Sequence, residues 1–525
     1  MAQVTIQDGS LKGTTGTNLD GEEFFQFFGI PYAKPPINEL RFMPPQPVDP
    51  WKGVKDATIV GSASISRDEL TSQIVGSEDC LNLNVYTKEL PNSETELKPV
   101  MIYIHGGAFN TGSNRPGLYG PEFLLTKNIV LVTINYRLGV LGFLSIDGTP
   151  VTGNMGLKDQ NLALKWVRRN IKHFNGDPNN VTIFGHSAGS ASVHAHILSP
   201  ASKGLFQKAI LQSGNVLNSW CWGSKNNATK LVELLGKSAD TEKQALEILK
   251  QVPAMDIHDA QLLLGDAIYA SEKRPFSVVI ESPNETAFIT KDLRELIKEG
   301  NYNDLPIMIG YTDKEGMVLE TAKTYNVELP PFKMENIIPA ELNLLEGSAD
   351  SQKVVKILEG IYSKQPNDEH YDELTDTSFL VGICEFLLNH LKNKKLPTFL
   401  YRMTISSNVN YLKNMLHKTH LPGACHADDL GYLFKSDITP EITPGSLEDK
   451  FIRIFVELWT NFATFGNPTA NSKLNVSWEP LVRDGSLKLL NIGKELEFID
   501  MPGSERKRVD TWMDIYNKWQ PEKRS

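Results

Sequence analysis

Short β-rich runs recur along the chain, each bounded by turn residues, at 24–30, 100–104, 129–135, 181–184, 209–212, 306–309 and 398–403. Helical patterns lie between several of them. In 159–174, for example, Leu162, Leu164, Trp166, Val167 and Ile171 fall on one apolar side. Strands that alternate with helices bury their apolar surface most readily as a mostly parallel sheet with helices on both faces. The alternation therefore predicts an α/β fold. Two longer stretches, 225–265 and 330–395, read as mainly helical and are expected as insertions that cap one edge of the sheet. An amphipathic helix is expected over 451–465, stopped by Gly466 and Pro468. The chain shows no internal repeat, low-complexity tract or long linker, so residues 1–525 are expected to form one domain.

Composition narrows the function classes. Lys and Arg total 53 against 63 Asp and Glu, a net charge of −10, which lacks the basic face that a nucleic-acid backbone requires. No apolar run approaches the roughly 18 residues of a membrane helix. The start, MAQVTIQD, carries no basic cap, apolar core or small-residue cleavage site. The four cysteines (Cys80, Cys221, Cys384, Cys425) lack metal or redox spacing. Together these features lead to the expectation of a cytoplasmic protein with reduced thiols, in which the sequons at Asn180, Asn227, Asn284 and Asn475 are chance matches. No cofactor or metal is expected; His417 and His420 have i,i+3 spacing but no third ligand is evident.

Polar or glycine-rich motifs follow the carboxyl ends of the strands, where ligands bind in open parallel sheets. The most specific is Gly185-His186-Ser187-Ala188-Gly189, a G-x-S-x-G pattern. The β-branched run 180–184 enters it and a helical pattern, 188–198, leaves it. Strand, sharp turn and helix make a nucleophile elbow, which lifts a serine hydroxyl above the sheet edge. In His105-Gly106-Gly107, glycines leave backbone N–H groups unobstructed. Together with the Ala188 N–H, they are candidates for an oxyanion hole.

A serine nucleophile needs a base, and the base needs an orienting acid. Eleven histidines compete for the first role. His194 and His196 lie on the elbow helix facing different sides, and His105 and His186 belong to other motifs. His426 sits in a turn after the run 398–403, in Pro422-Gly423-Ala424-Cys425-His426. For the acid, Glu315 follows the run 307–311, with Asp313 and Glu320 as nearby competitors. The order Ser187, Glu315, His426 is the one that an α/β-hydrolase topology requires.

These residues stand among further motifs: Phe28-Gly29-Ile30-Pro31-Tyr32-Ala33, Leu40-Arg41-Phe42, Ser77-Glu78-Asp79-Cys80-Leu81-Asn82-Leu83-Asn84-Val85-Tyr86, Asn154-Met155-Gly156-Leu157-Lys158-Asp159-Gln160 and Phe462-Ala463-Thr464-Phe465-Gly466-Asn467-Pro468. The chain thereby resembles the type-B carboxylesterases, the family that also holds the cholinesterases, over nearly its whole length. The resemblance implies an α/β-hydrolase fold and a serine carboxylesterase acting on small-molecule esters and covalently inhibited by organophosphates. It also implies Ser187, Glu315 and His426 as the triad, Gly106, Gly107 and Ala188 as the oxyanion hole, and Ser213 as a serine supporting the triad. Two departures sharpen it. No cysteine precedes Cys80, although secreted relatives pair the equivalent residue upstream. No aromatic residue stands between Lys52 and Val85, where cholinesterases carry a choline-stacking tryptophan, so acetylcholine is not the expected substrate. With His186 before the nucleophile, the chain looks most like the intracellular insect α-esterases, which handle general esters and sequester organophosphates. The alternatives are a juvenile-hormone-type esterase and a non-catalytic adhesion-type relative.

Overall fold

The computed structural model describes residues 2–92, 96–265, 267, 269–324, 329, 331–362, 370–393 and 395–520. Its centre is a sheet of β1 (Thr14–Thr17), β2 (Glu23–Pro31), β3 (Asn82–Thr87), β4 (Lys98–Ile104), β5 (Val130–Ile134), β6 (Gly176–His186), β7 (Lys208–Gln212), β8 (Ile307–Thr312), β9 (Thr398–Met403), β10 (Lys488–Ile492) and β11 (Leu496–Asp500). The spatial order is β11-β10-β9-β8-β7-β6-β4-β5-β3-β2-β1. From β10 to β5 every neighbouring pair is parallel, and the strands beyond, at both edges, are antiparallel. Each β-rich run read from the sequence is a strand. β1, β3, β10 and β11 were not legible as strands: β3 alternates Asn82 and Asn84 with its apolar residues, and the β10–β11 hairpin is short and studded with charges.

Strand alternation builds a core on each face. Val100, Ile102 and Ile104 of β4 join one apolar cluster, whereas Met101 and Tyr103 join the other. The first cluster is covered by helices Met155–Asn170 and Ala188–Leu198, through residues such as Trp166 and Val193. The second is covered by Leu447–Phe465, which buries Phe451, Phe455, Trp459 and Phe462. Each such side chain contributes about 1.5–3 kcal/mol of transfer free energy. The helix ends where expected, with Gly466 at φ 73°.

The insertions sit differently from expectation. The stretch 225–265 forms Ala228–Leu234, Glu242–Leu249 and Ala254–Leu263. In the stretch 330–395, residues 330, 363–369 and 394 lie outside the described residues, and the rest includes Ala349–Ile361, Tyr371–Thr375 and Val381–Asn393. Gln261 accepts the Val140 N–H in the loop after β5 (2.5 Å), and Thr375 accepts the Gly316 N–H after β8 (2.9 Å). Both insertions therefore reach over the carboxyl ends of the strands.

Candidate active site

Ser187 joins β6 to helix Ala188–Leu198 with φ 57° and ψ −121°, a conformation costing about 1–3 kcal/mol that its surroundings must enforce. Its N–H donates to the Gln212 carbonyl (2.8 Å) at the end of β7, fixing the turn. The helix packs so tightly on β4 that a Cβ on Gly189 would lie 1.9 Å from the Ile104 carbonyl oxygen.

Gly106 and Gly107 follow β4 and line the same cavity as Ser187. Among the described residues the N–H groups of Gly106, Gly107 and Ala188 have no backbone acceptor. The orientation of this loop has a visible cause. His105 Nδ1 bonds the Gly106 carbonyl (2.8 Å), so that nitrogen carries the proton, and the Tyr136 hydroxyl donates to the His105 carbonyl (2.9 Å). Burial pushes His105 down to about 4, which keeps it neutral. In a trans peptide the Gly107 N–H points opposite to the Gly106 carbonyl, away from His105. Gly107 itself has φ 103°, which only glycine adopts without strain.

His426 Nδ1 lies 2.6 Å from Glu315 Oε2 and the carboxylate is fully buried. The other oxygen, Oε1, accepts the Thr312 N–H (2.8 Å). Bonding at Nδ1 leaves Nε2 outside the pair with Glu315, and His426 and Ser187 line the same cavity. The competitors are engaged elsewhere. Asp313 accepts the Ala424 N–H (2.7 Å), and Glu320 accepts the Tyr371 hydroxyl (2.7 Å). His196 bonds Ser202 (2.7 Å) and Gln160 (3.0 Å), and burial pushes both His194 and His196 down to about 3. Ser213 is fully buried; its N–H donates to the Gly310 carbonyl (2.9 Å), and its hydroxyl has no hydrogen-bond partner among the described residues.

Sequence reasoning missed three neighbours. The His426 ring contacts His186 (centroids 4.3 Å) and Phe379 (4.6 Å). Burial beside His426 holds His186 well below the usual histidine range, so this contact adds no charge. Phe379 lies in a helical insertion with no pattern to announce it. Asp429, also buried, accepts from Gln212 Nε2 (2.7 Å) and the Tyr401 hydroxyl (3.2 Å). The acidic pair after His426 was its only signal.

Two lobes meet at Ser187 and His426. The larger, about 370 Å³, carries Arg67, Asp68 and Glu69 alongside Val318, Leu412 and Met415. The smaller, about 140 Å³, is walled by Trp220, Leu319 and Phe379. A wider cleft of about 830 Å³ contains none of the triad candidates, so size alone does not mark the site.

The family model for the carboxylesterase family matches residues 1–512. Esterase B1 of Culex pipiens is 35% identical over 540 aligned positions, covering 98% of each chain. A juvenile hormone esterase of Tribolium castaneum is 34% identical, covering 90% of this chain and 84% of its own. In three dimensions the chain is similar to the crystal structure of Manduca sexta juvenile hormone esterase with OTFP covalently attached. The TM-score is 0.87 and the identity 28%, over 98% of this chain and 99% of that one. On its α/β-hydrolase fold, and on motifs spread along the whole sequence, the chain belongs to the carboxylesterase family and is a carboxylic ester hydrolase.

Proposed function

We propose that Ser187, His426 and Glu315 carry the hydrolysis as nucleophile, base and orienting acid. The 2.6 Å contact between His426 and Glu315, with Ser187 on the wall of the same cavity, is the observation that carries this assignment. His426 Nε2 takes the Ser187 proton as Oγ attacks the ester carbonyl. The oxyanion forms against the N–H groups of Gly106, Gly107 and Ala188. Its collapse breaks the bond to the alcohol, which leaves with the proton from His426. Water, deprotonated by the same histidine, then releases the acid from the acyl-serine. Residues 1–525 act as one catalytic unit in this reading.

The two lobes support broad specificity, one side of the ester being small and the other larger. The fully free, buried cysteines support a reducing, cytoplasmic setting. An organophosphate would phosphorylate Ser187 with loss of its leaving group, and the phosphoryl-serine would hydrolyse slowly because water is badly placed for the second half of the cycle. Roles in detoxification and insecticide resistance would follow from that trapping. A juvenile-hormone-type esterase is the second reading, favoured by the fold likeness. Turnover of juvenile hormone measured beside short p-nitrophenyl and naphthyl esters separates the two. For the chemistry itself, the expected result is one phosphoryl group per chain on the peptide containing Ser187. Ser187→Ala should neither take the label nor turn over esters; label elsewhere, or turnover persisting at near-normal rate, refutes the triad.

A further inference from the structure

The acid and the base of the site come from separate loops, and one helical rod touches both. Tyr371–Thr375, a π-helical turn Asp376–Leu380 and Val381–Asn393 follow one another without a break. A π turn is rare and persists where other contacts compensate its looser hydrogen bonding. Here side chains supply donors: Trp220 Nε1–H to the Ser378 carbonyl (2.6 Å) and Asn218 Nδ2–H to the Phe379 carbonyl (3.0 Å). Just before the turn, Thr375 Oγ1 accepts the N–H of Gly316, the residue after Glu315 (2.9 Å). The fit is close enough that a Cβ on Gly316 would lie 2.2 Å from the Tyr371 carbonyl oxygen. Within the turn, Phe379 packs on the His426 ring at 4.6 Å.

Between these two attachments lies Asp376, fully buried. Its carboxylate accepts from Arg508 Nε (2.5 Å), Arg508 Nη2 (3.3 Å) and the Tyr362 hydroxyl (2.7 Å). Tyr362 is held in turn by Trp512 Nε1–H (2.8 Å). Arg508 and Trp512 both belong to the helix Gly503–Trp519.

We propose that segment 375–379 is a template that sets the position of Glu315 relative to His426, clamped by the ion pair between buried Asp376 and part-buried Arg508. The inference rests on the roles given to Glu315 and His426 above. Thr375 fixes the chain beside the acid, and Phe379 limits the freedom of the imidazole. Arg508 keeps the intervening turn from shifting and neutralises a carboxylate that would otherwise be buried alone. Asp376 and Arg508 are positioning residues, since they act through Glu315 and His426. Phe379 also walls the smaller lobe, so the double variant described next, which leaves that wall unchanged, isolates positioning from substrate contact.

Two variants test it: Phe379→Leu, which keeps an apolar side chain, and the double variant Asp376→Asn/Arg508→Gln, which removes both charges together. Small displacements of reacting groups cost up to about 100-fold. In each variant kcat for p-nitrophenyl acetate should therefore fall about 10- to 100-fold. In the double variant, whose residues do not line either lobe, KM should move less than about threefold, as expected for lost transition-state positioning. The rate of Ser187 phosphorylation should fall in parallel. The far-downfield proton resonance of the His426–Glu315 hydrogen bond should broaden or vanish. Phe379→Tyr, which keeps the ring, should restore both rate and resonance. Wild-type kcat and an unchanged resonance in Phe379→Leu would overturn the template, whatever the melting temperature does. The same result in the folded double variant would overturn the clamp. Near-normal turnover by Glu315→Gln would instead overturn the triad assignment on which the inference rests.

Discussion

Ser187 and His426 stand in one cavity but are held in unlike ways. The serine belongs to a contiguous piece of chain, β6 and the helix after it, and its geometry follows from close backbone packing within that piece and against β4 and β7. The histidine has no such frame. Glu315, the carboxylate it bonds, is 111 residues away in sequence, and its loop is pinned from several directions. Asp428 accepts the N–H groups of Cys425 (2.7 Å) and Lys413 (3.0 Å), and Asp313 accepts that of Ala424 (2.7 Å). A site element built from local backbone geometry is rigid on its own terms. One built from distant side chains is only as precise as the network that holds it.

The contrast can be broken at either end. Gly189→Ala should have the largest effect, because the added carbon meets backbone at 1.9 Å and no side chain can move aside. We expect a loss on the order of 3 kcal/mol of stability together with activity, read by thermal melting and ester turnover. Melting and turnover near wild type would show that the elbow is not close-packed. Glu315→Gln comes next. It should leave the fold intact and cut kcat by about three to four powers of ten, since the acid sets the imidazole tautomer and stabilises the imidazolium. Asp313→Asn keeps an oxygen for the Ala424 N–H and should cost about tenfold or less by comparison. Reversed effects in this pair would transfer the acid's role to Asp313.

The same contrast explains what could be read from the amino-acid sequence. The elbow, the His105-Gly106-Gly107 loop and the parallel strands carry their causes within a dozen residues, as glycines, β-branched runs and turn signals. The motifs behind the family resemblance are legible for another reason: they are structural pins. Glu78 pairs with Arg41 (2.6 Å), Asp159 with Arg137 (2.7 Å), and Asn154 donates to Glu281 (2.9 Å). None of these reaches Ser187. Glu315 and His426 were legible only by their order in the chain and by resemblance, because nothing local separates Glu315 from Asp313. Phe379 and the π turn were not legible at all. Their placement depends on Asn218, Trp220 and Arg508, which no periodicity connects to them. The insertions were recognised as helical, but their position over the strand ends follows from tertiary hydrogen bonds.

A further effect, on stability rather than rate, lies within the histidine network itself, between the neighbours Asp428 and Asp429. Burial pushes each carboxyl up to about 6, against the donors that pull it down. In the unfolded chain both titrate near about 4. With the folded value the higher, folding takes up protons between those values. The contribution of Asp429 is therefore most favourable below about pH 4 and is lost as the pH rises through about 6. Asp429→Asn removes that titration while keeping an oxygen for Gln212 and Tyr401, and the amide replaces Oδ1, which has no hydrogen-bond partner among the described residues. The variant should gain stability relative to wild type across that window, by on the order of 2 kcal/mol, and the difference should be flat above about pH 7. Asp428→Asn should behave otherwise. Both its oxygens accept, from two backbone N–H groups and from Asn410 Nδ2, so an amide there puts a donor against a donor. It should destabilise the fold on both sides of that window, because the lost acceptor outweighs the removed charge. Urea melts of both variants and wild type at pH 4.5, 6 and 7.5 decide it. Parallel curves for Asp429→Asn and wild type would mean that the Asp429 carboxylate is no costlier inside the network than in water, and that the histidine loop is less tightly enclosed than its hydrogen bonds imply.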